Sequence, residues 1–321
     1  MAAFMFAKFG SGNKITAQDF VDLQQGKLVY EGFRRAHAKG FCIGGVLQSN
    51  GNLAQYTSAY FFSRKNTPFT GRISIAGNNP TAPDLKAPVR SLALSLSSKN
   101  EVWRTAMNTP PVMAVRNPYD FYQQLLALAP DPTTNERDPS KIRDFFDEHP
   151  ESKAFRTWAS EYSPKNSFAE ETYHSINAFY LINNKGNKQA VRWRVSPPID
   201  ALAAADLDTS NNDALQDEFF NRLKAGNVKF DLIFTFATAE DNVTDPTQAW
   251  PSSRREVIAG QLLITDATPQ KNSICNEINF DPLVLPTGIE ASQDKILGAR
   301  SSAYAESYRR RAKEHLLRLS E

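Results

Sequence analysis

Residues 91–97 read Ser-Leu-Ala-Leu-Ser-Leu-Ser, and this alternation of small or polar side chains with apolar ones is typical of a half-buried β-strand. Working outward from this stretch, similar short runs recur between turn residues. The predicted strands are 41–47, 70–76, 89–97, 112–115, 173–182, 190–195, 228–236 and 257–263. Because most of them follow one another along the chain, they predict an eight-stranded antiparallel β-barrel.

Helical patterns precede, interrupt and follow these strands. Thr16 is a predicted N-cap for a helix whose apolar side chains are Phe20, Leu23 and Leu28. Two insertions, 118–162 and 197–225, contain further helical runs, and a last helix is predicted at about 292–320. The expected fold is therefore α+β, a barrel with inserted and C-terminal helices. We expect residues 1–321 to form a single domain with its core at about 30–312.

Composition excludes several classes of protein. The chain has 37 Lys and Arg against 35 Asp and Glu, a net charge of +2, whereas a nucleic-acid binder usually carries a basic excess. No window approaches the roughly 20 apolar residues of a membrane-spanning helix. Two cysteines, Cys42 and Cys275, are too few for a disulfide framework or a structural zinc site. Cys42 is predicted to be a small buried apolar residue of the first strand.

Two segments carry side chains suited to chemistry. Residues 31–45 read EGFRRAHAKGFCIGG and place His37 among basic residues just before the first strand. In the last helix, Arg300, Tyr304, Tyr308 and Arg311 recur at spacings that return to one face. A tyrosine phenolate is one of the ligands that proteins use for haem iron. Taken alone, the first segment is equally typical of a structural histidine whose hydrogen bonds are made within the protein. The second is equally typical of an ordinary amphipathic terminal helix.

Taken together and in order, these motifs resemble the haem catalases. The match consists of HAKG after an upstream Arg, GRIS at 71–74, YHSINAF at 173–179, RW at 192–193 and the Arg300-x-x-x-Tyr304 helix. The resemblance covers roughly residues 30–312. The chain is similar to the short catalase-related peroxidases, which lack the long N-terminal arm and the C-terminal helical domain of full-length catalases. It implies a catalase-like barrel that binds haem b.

The resemblance assigns roles on the distal side of the haem. His37 matches the histidine that moves a proton between the two peroxide oxygens. Ser74 matches the serine that supports this histidine. Asn108 matches the amide that orients peroxide if the alignment is anchored on the later RNP at 116–118, whereas anchoring on Thr109 and Pro110 would put Met107 there. We prefer Asn108.

The resemblance also assigns the iron ligand and the porphyrin contacts. Tyr304 matches the proximal ligand, with Arg300 stabilising its phenolate. Phe121 matches a phenylalanine that packs on the haem, and Met113 stands where catalases have a channel phenylalanine. The arginines that pair with the haem propionates are matched by Arg34, Arg72 and Arg311.

The expected function is a haem peroxidase that reduces hydrogen peroxide or an organic hydroperoxide with a small organic reductant. Three alternatives remain: a true small catalase, a non-catalytic haem-binding barrel, and a hydroperoxide isomerase of the allene oxide synthase type. Those isomerases carry Thr before the distal histidine, where this chain has Ala36. We expect a monomer or homo-oligomer, without nucleic acid or a membrane span. The family suggests the periplasm if a signal peptide was removed, and otherwise the cytoplasm.

Overall fold

A closed antiparallel barrel of eight strands organises the chain and confirms the predicted fold class. The computed structural model describes residues 15–63, 66–98, 100–131, 133–134, 136–199, 207–271 and 273–318. The strands are β1 (Gly40–Ser49), β2 (Asn66–Ile75), β3 (Arg90–Ser98), β4 (Glu101–Asn108), β5 (Tyr173–His174), β6 (Phe179–Ile182), β7 (Lys188–Ser196), β8 (Val228–Phe236), β9 (Glu256–Pro269) and β10 (Ile289–Ala291).

The order of pairing explains how the barrel closes. Neighbours run β1-β2-β3-β4-β5-β7-β8-β9, and β9 pairs back onto β1. The short strands β6 and β10 extend the sheet beside β7. Apolar side chains that point inward fill the barrel, where the indole rings of Trp103 and Trp193 lie 5.5 Å apart. Closure leaves a rigid frame on which loops and helices build a cavity.

One predicted strand is wrong, and two real strands, β4 and the short β10, were missed. Residues 112–115 form no strand. They follow Pro110 and Pro111, which lack the N–H groups that a ladder needs, and lie in an irregular segment in which all but the residue at 113 are buried. The strand before them is β4, in which Trp103, Thr105 and Met107 alternate inward. Charged residues at 101 and 104 disguise this alternation in the sequence.

The predicted strand at 173–182 is interrupted. Its two ends form β5 and β6, which pair with different parts of β7. Between them Ile176 has a φ of 65°, a left-handed conformation that breaks the strand. This break brings Ile176 and Asn177 to the wall of the cavity described below.

The helices occupy the predicted regions with shorter bounds. They are α1 (Ala17–Gln25), α2 (Pro118–Leu128), α3 (Pro139–Glu148), α4 (Lys153–Glu161), α5 (Ala214–Ala225) and α6 (Lys295–Arg318). Thr16 caps α1 as predicted, in a reciprocal pair with Asp19, but Leu28 lies beyond the helix and is exposed. The predicted end of the last helix at 319–320 lies outside the described residues. No helix among the described residues has the length and apolar character needed to cross a bilayer.

The two cysteines are joined, a pairing that the sequence did not predict. Cys42 on β1 forms a disulfide with Cys275, which lies in a single 3₁₀ turn at Ile274–Glu277. Their Cα atoms are 5.6 Å apart although 233 positions separate them in the chain. Both are buried, as predicted for Cys42, and they pack with Phe280. The bond ties the turn at 274–277 to the barrel.

Candidate active site

A cavity of about 220 Å³ lies between the barrel strands β2–β4, helix α2 and helix α6. Its walls include every side chain that the sequence predicted for the site, although these are spread over most of the chain. They are Arg34, His37, Arg72, Ser74, Asn108, Phe121, Arg300, Tyr304 and Arg311. The fold thus brings the predicted residues together in one place.

A row of polar side chains crosses the barrel wall on the cavity side. The register pairs Ser74 of β2 with Ser91 of β3, and Ser91 with Asn108 of β4. Residues opposite one another on antiparallel strands project on the same face, so all three side chains reach the cavity. Ser91 Oγ donates a hydrogen bond to Asn108 Oδ1 over 2.5 Å. Met107, the alternative to Asn108, is buried and belongs to the barrel core.

His37 reaches this row from a loop with an unusual backbone. Its φ is 54°, in the left-handed region of backbone conformations that few residues other than Gly, Asn or Asp adopt readily. The next residue, Ala38, is held on both sides: its N–H donates to Gly77 O over 2.9 Å and its carbonyl accepts from Arg72 over 3.1 Å. This turn places His37 Nδ1 3.2 Å from Ser91 Oγ.

The surroundings of His37 favour a neutral ring. Protein encloses the imidazole, although part of its surface is open to the cavity. Burial lowers the pKa of His37 to about 4, with further lowering by the positive charges of Arg72, Arg300 and Arg34. At neutral pH the ring is therefore free to accept a proton, as general base catalysis requires.

Ser91 is a member of the polar row in the cavity wall that the sequence did not single out. It stands in the alternating stretch 91–97, where it was read as one of the small residues on a strand. Alternation reports the face that a side chain occupies but not its neighbours on adjacent strands. The strand register, which places Ser91 between Ser74 and Asn108, would have revealed it.

Three arginines converge at another part of the cavity and bind neutral acceptors. Arg34 donates to the carbonyls of Cys275 and Ile278 over 3.0 and 3.1 Å, and Arg311 donates to the Asn276 carbonyl over 2.6 Å. Arg72 donates to the side-chain oxygen of Gln270. The residues around the disulfide thus supply the carbonyls that orient two of these guanidinium groups.

The closely spaced positive charges of these three arginines favour the binding of an anion. Burial, then repulsion by Arg72 and Arg311, lowers the pKa of Arg34 well below its usual value. Burial and the charge of Arg311 lower the pKa of Arg72 to about 9. Arg311 also keeps its Nε buried without a hydrogen-bond partner. Clustered buried cations are costly unless a ligand of opposite charge compensates them, so a dianionic group fits here.

A chain of hydrogen bonds links the Tyr304 hydroxyl to the start of α6. Arg300, one turn earlier, donates to Asn177 Oδ1 over 2.6 Å and to the Ala106 carbonyl over 2.8 Å, and its Nη2 lies 3.5 Å from the Tyr304 hydroxyl. Asn177 in turn donates to Asp294, whose carboxylate accepts from the first backbone N–H groups of α6. Asn177 was part of a motif in the sequence analysis but was not assigned a role.

Apolar side chains form the rest of the wall. Phe121 of α2 lines the cavity together with Met113. Phe20 of α1, which the sequence analysis placed only in a helix stripe, also lines it and packs on Phe121 with ring centroids 5.3 Å apart. A phenol oxygen, apolar walls and a cationic end together fit haem, whose ring is flat and apolar and whose propionates are anionic.

The buried histidines predict an acid-sensitive fold. Burial lowers the pKa of His37 and His174 to about 4, so between pH 6.5 and 4 the unfolded chain binds protons that the folded chain does not. Stability should therefore fall as the pH falls through this window. Replacing His37 with Gln should reduce that fall by about 2–3 kcal/mol. Urea denaturation of the haem-free chain at pH 6.5 and 4 measures it.

The control for this prediction is His315→Gln, at an exposed position of α6. This variant should lose as much stability on acidification as the parent chain. An equal loss for His37→Gln and the parent would contradict a neutral, buried His37.

Comparisons with known proteins agree with this geometry. The family model named Catalase matches residues 28–320. A catalase-related peroxidase of Synechococcus elongatus is 36% identical over 285 residues, which are 88% of this chain and 84% of that protein. A second catalase-related peroxidase, from Mycolicibacterium paratuberculosis, is 27% identical and covers 87% of this chain and 89% of its own length.

Longer catalases match the same region. The catalase of Drosophila melanogaster is 26% identical over 89% of this chain, but the match covers only 60% of that protein. A solved bacterial catalase superposes with a TM-score of 0.77 and 22% identity, over 87% of this chain and 57% of its own. With the family model spanning nearly the whole chain and a relative this similar along most of its length, the chain belongs to the catalase family.

Proposed function

We propose that this protein is a haem b peroxidase that reduces hydrogen peroxide or organic hydroperoxides with a small organic electron donor. The observation that carries the proposal is one cavity holding a neutral histidine, a tyrosine beside an arginine, and a cluster of buried guanidinium groups. The catalase-family oxidoreductases that resemble the chain, two of them named catalase-related peroxidases, support the same reaction class.

The residues divide the work of peroxide cleavage. His37 takes a proton from one peroxide oxygen and delivers it to the leaving oxygen, which needs the neutral imidazole described above. Asn108, at the cavity wall, orients the peroxide by hydrogen bonding. Bound haem supplies the redox chemistry, with Tyr304 as its iron ligand and Arg34, Arg72 and Arg311 as partners of its propionates.

Arg300 fixes the surroundings of the Tyr304 oxygen. Its guanidinium lies against the Tyr304 hydroxyl and is itself anchored by Asn177 and the Ala106 carbonyl. This contact would place a fixed positive charge beside the tyrosine oxygen that binds iron when haem is present.

Two features support a peroxidase over a true catalase. A relative named catalase-related peroxidase is 36% identical to the chain, whereas the animal catalase is 26% identical. Met113, in the cavity wall, is a flexible side chain where catalases carry an aromatic one. Ala36 stands where the isomerases carry Thr, which argues against isomerase activity. A protein that only carries haem would need neither His37 nor Asn108, so the presence of both argues against a carrier.

The test compares two reactions on one haem-loaded sample. We expect weak oxygen release from hydrogen peroxide and readily measured oxidation of a phenolic or dye reductant. Met113→Phe should narrow the cavity at this wall and slow dye oxidation more than the initial, single-turnover reaction with peroxide, which needs no dye. Oxygen release comparable with that of long catalases, with negligible dye oxidation, would make this a small true catalase instead.

A further inference from the structure

We infer that Ser91 is a positioning residue that sets both groups used on peroxide: it fixes which nitrogen of His37 carries the proton and which way the Asn108 amide points. This inference deepens the proposed function and rests on it for its catalytic consequence. The structural part concerns hydrogen bonds alone and is testable without turnover.

The serine hydroxyl has a single proton to donate. Ser91 Oγ donates that proton to Asn108 Oδ1, which lies 2.5 Å away. The hydroxyl can therefore only accept in its contact with His37 Nδ1 at 3.2 Å. His37 must then carry its proton on Nδ1, which leaves a lone pair on Nε2. This is the tautomer that a general base facing the cavity needs.

The same hydroxyl determines the Asn108 amide. Because Oδ1 accepts from Ser91, the two donors of Nδ2 remain for a ligand in the cavity that Asn108 lines. An amide flipped the other way would turn its oxygen toward peroxide and its Nδ2 toward Ser91, and the serine would then accept from Asn108 instead of donating to it. Ser91 thus makes Asn108 a hydrogen-bond donor toward substrate.

Position within the barrel explains why Ser91 can do both. It lies on β3, the middle strand of the row, directly opposite Ser74 on β2 and Asn108 on β4. Ser74, which the resemblance assigned to the support of His37, is separated from Asn108 by a whole strand. A side chain on β2 could serve His37 alone, whereas Ser91 bridges His37 and Asn108.

The matched variants are Ser91→Ala, Ser91→Thr and Ser74→Ala. The first removes the oxygen, the second keeps a hydroxyl at the same place, and the third removes the neighbouring hydroxyl. We expect S91A to lower kcat/KM for hydrogen peroxide by about 10- to 100-fold, as for other residues that orient a catalytic imidazole. S91T should retain most of the activity.

The decisive measurement is the tautomer of His37 by ¹⁵N NMR of the full chain, labelled at histidine and loaded with diamagnetic zinc protoporphyrin IX. His37→Gln identifies the signal among the four histidines. In the parent, in S91T and in S74A, the proton should reside on Nδ1 at pH 7. In S91A the ring should become a mixture of tautomers.

Each outcome decides the matter. A parent-like tautomer in S91A overturns the inference, and loss of the tautomer in S74A but not in S91A would transfer the role to Ser74. If S91A does not fold, Ser91→Cys, a similar shape with a weaker acceptor, replaces it and should also mix the tautomers. A protein with the expected tautomers but no peroxide turnover would refute the proposed function and leave the hydrogen-bond assignment standing.

Discussion

A Tyr304→Phe variant should lose most of its haem, or retain it with an altered absorption spectrum and little turnover. The substitution keeps the ring, which packs beside Phe280 and the disulfide, and removes the only oxygen that this side chain offers to iron. The three arginines and the apolar walls would still contact the porphyrin, so some haem binding can survive without the proximal ligand.

Absorption spectra of the variant after haem loading, compared with the parent, provide the measurement. Tyr308→Phe is the matched control, since Tyr308 lies one turn further along α6 and contacts Arg311 through its ring face. That variant should bind haem normally. An unchanged spectrum and full turnover in Tyr304→Phe would exclude Tyr304 as the ligand.

His37→Ala should have the second large effect, on rate and not on haem content. Haem should remain bound because Tyr304 and the arginines are untouched. Peroxide cleavage should slow by at least 10²- to 10⁴-fold, the usual contribution of general acid–base catalysis. The rate of the spectral change after stopped-flow mixing with hydrogen peroxide measures this loss.

His149→Ala serves as its control. His149 lies at the end of α3, stacks on Phe145 and does not line the cavity. Its variant should react with peroxide at the parent rate. A parent rate in His37→Ala would instead remove His37 from the mechanism.

The sequence predicted the barrel well because a half-buried strand leaves a local trace. Alternation over residues 89–97 and 228–236 coincides with β3 and β8 to within one residue. The local pattern failed to predict strands where contacts between distant parts of the chain determine the structure. Val112–Val115 is apolar because it is buried, not because it pairs, and β4 carries charges on its outer face.

The site was predicted through resemblance, which joins distant residues that no local pattern connects. What it could not supply are contacts particular to this chain. The bond between Cys42 and Cys275 depends on a 5.6 Å approach of Cα atoms that only the folded barrel creates. The contact of Ser91 with His37 depends likewise on strand register and on the turn before β1.

The proposed role of His37 sets catalysis against stability at the turn that holds it. A side chain held at a φ of 54° costs about 1–2 kcal/mol that glycine would not incur. Glycine at this position would therefore relieve the backbone while removing the proton acceptor. Laboratory evolution for heat resistance alone would be drawn toward that loss, because strained functional positions are where stabilising substitutions are easiest to find. Any effort to make this enzyme more robust needs to select for peroxide turnover in the same round.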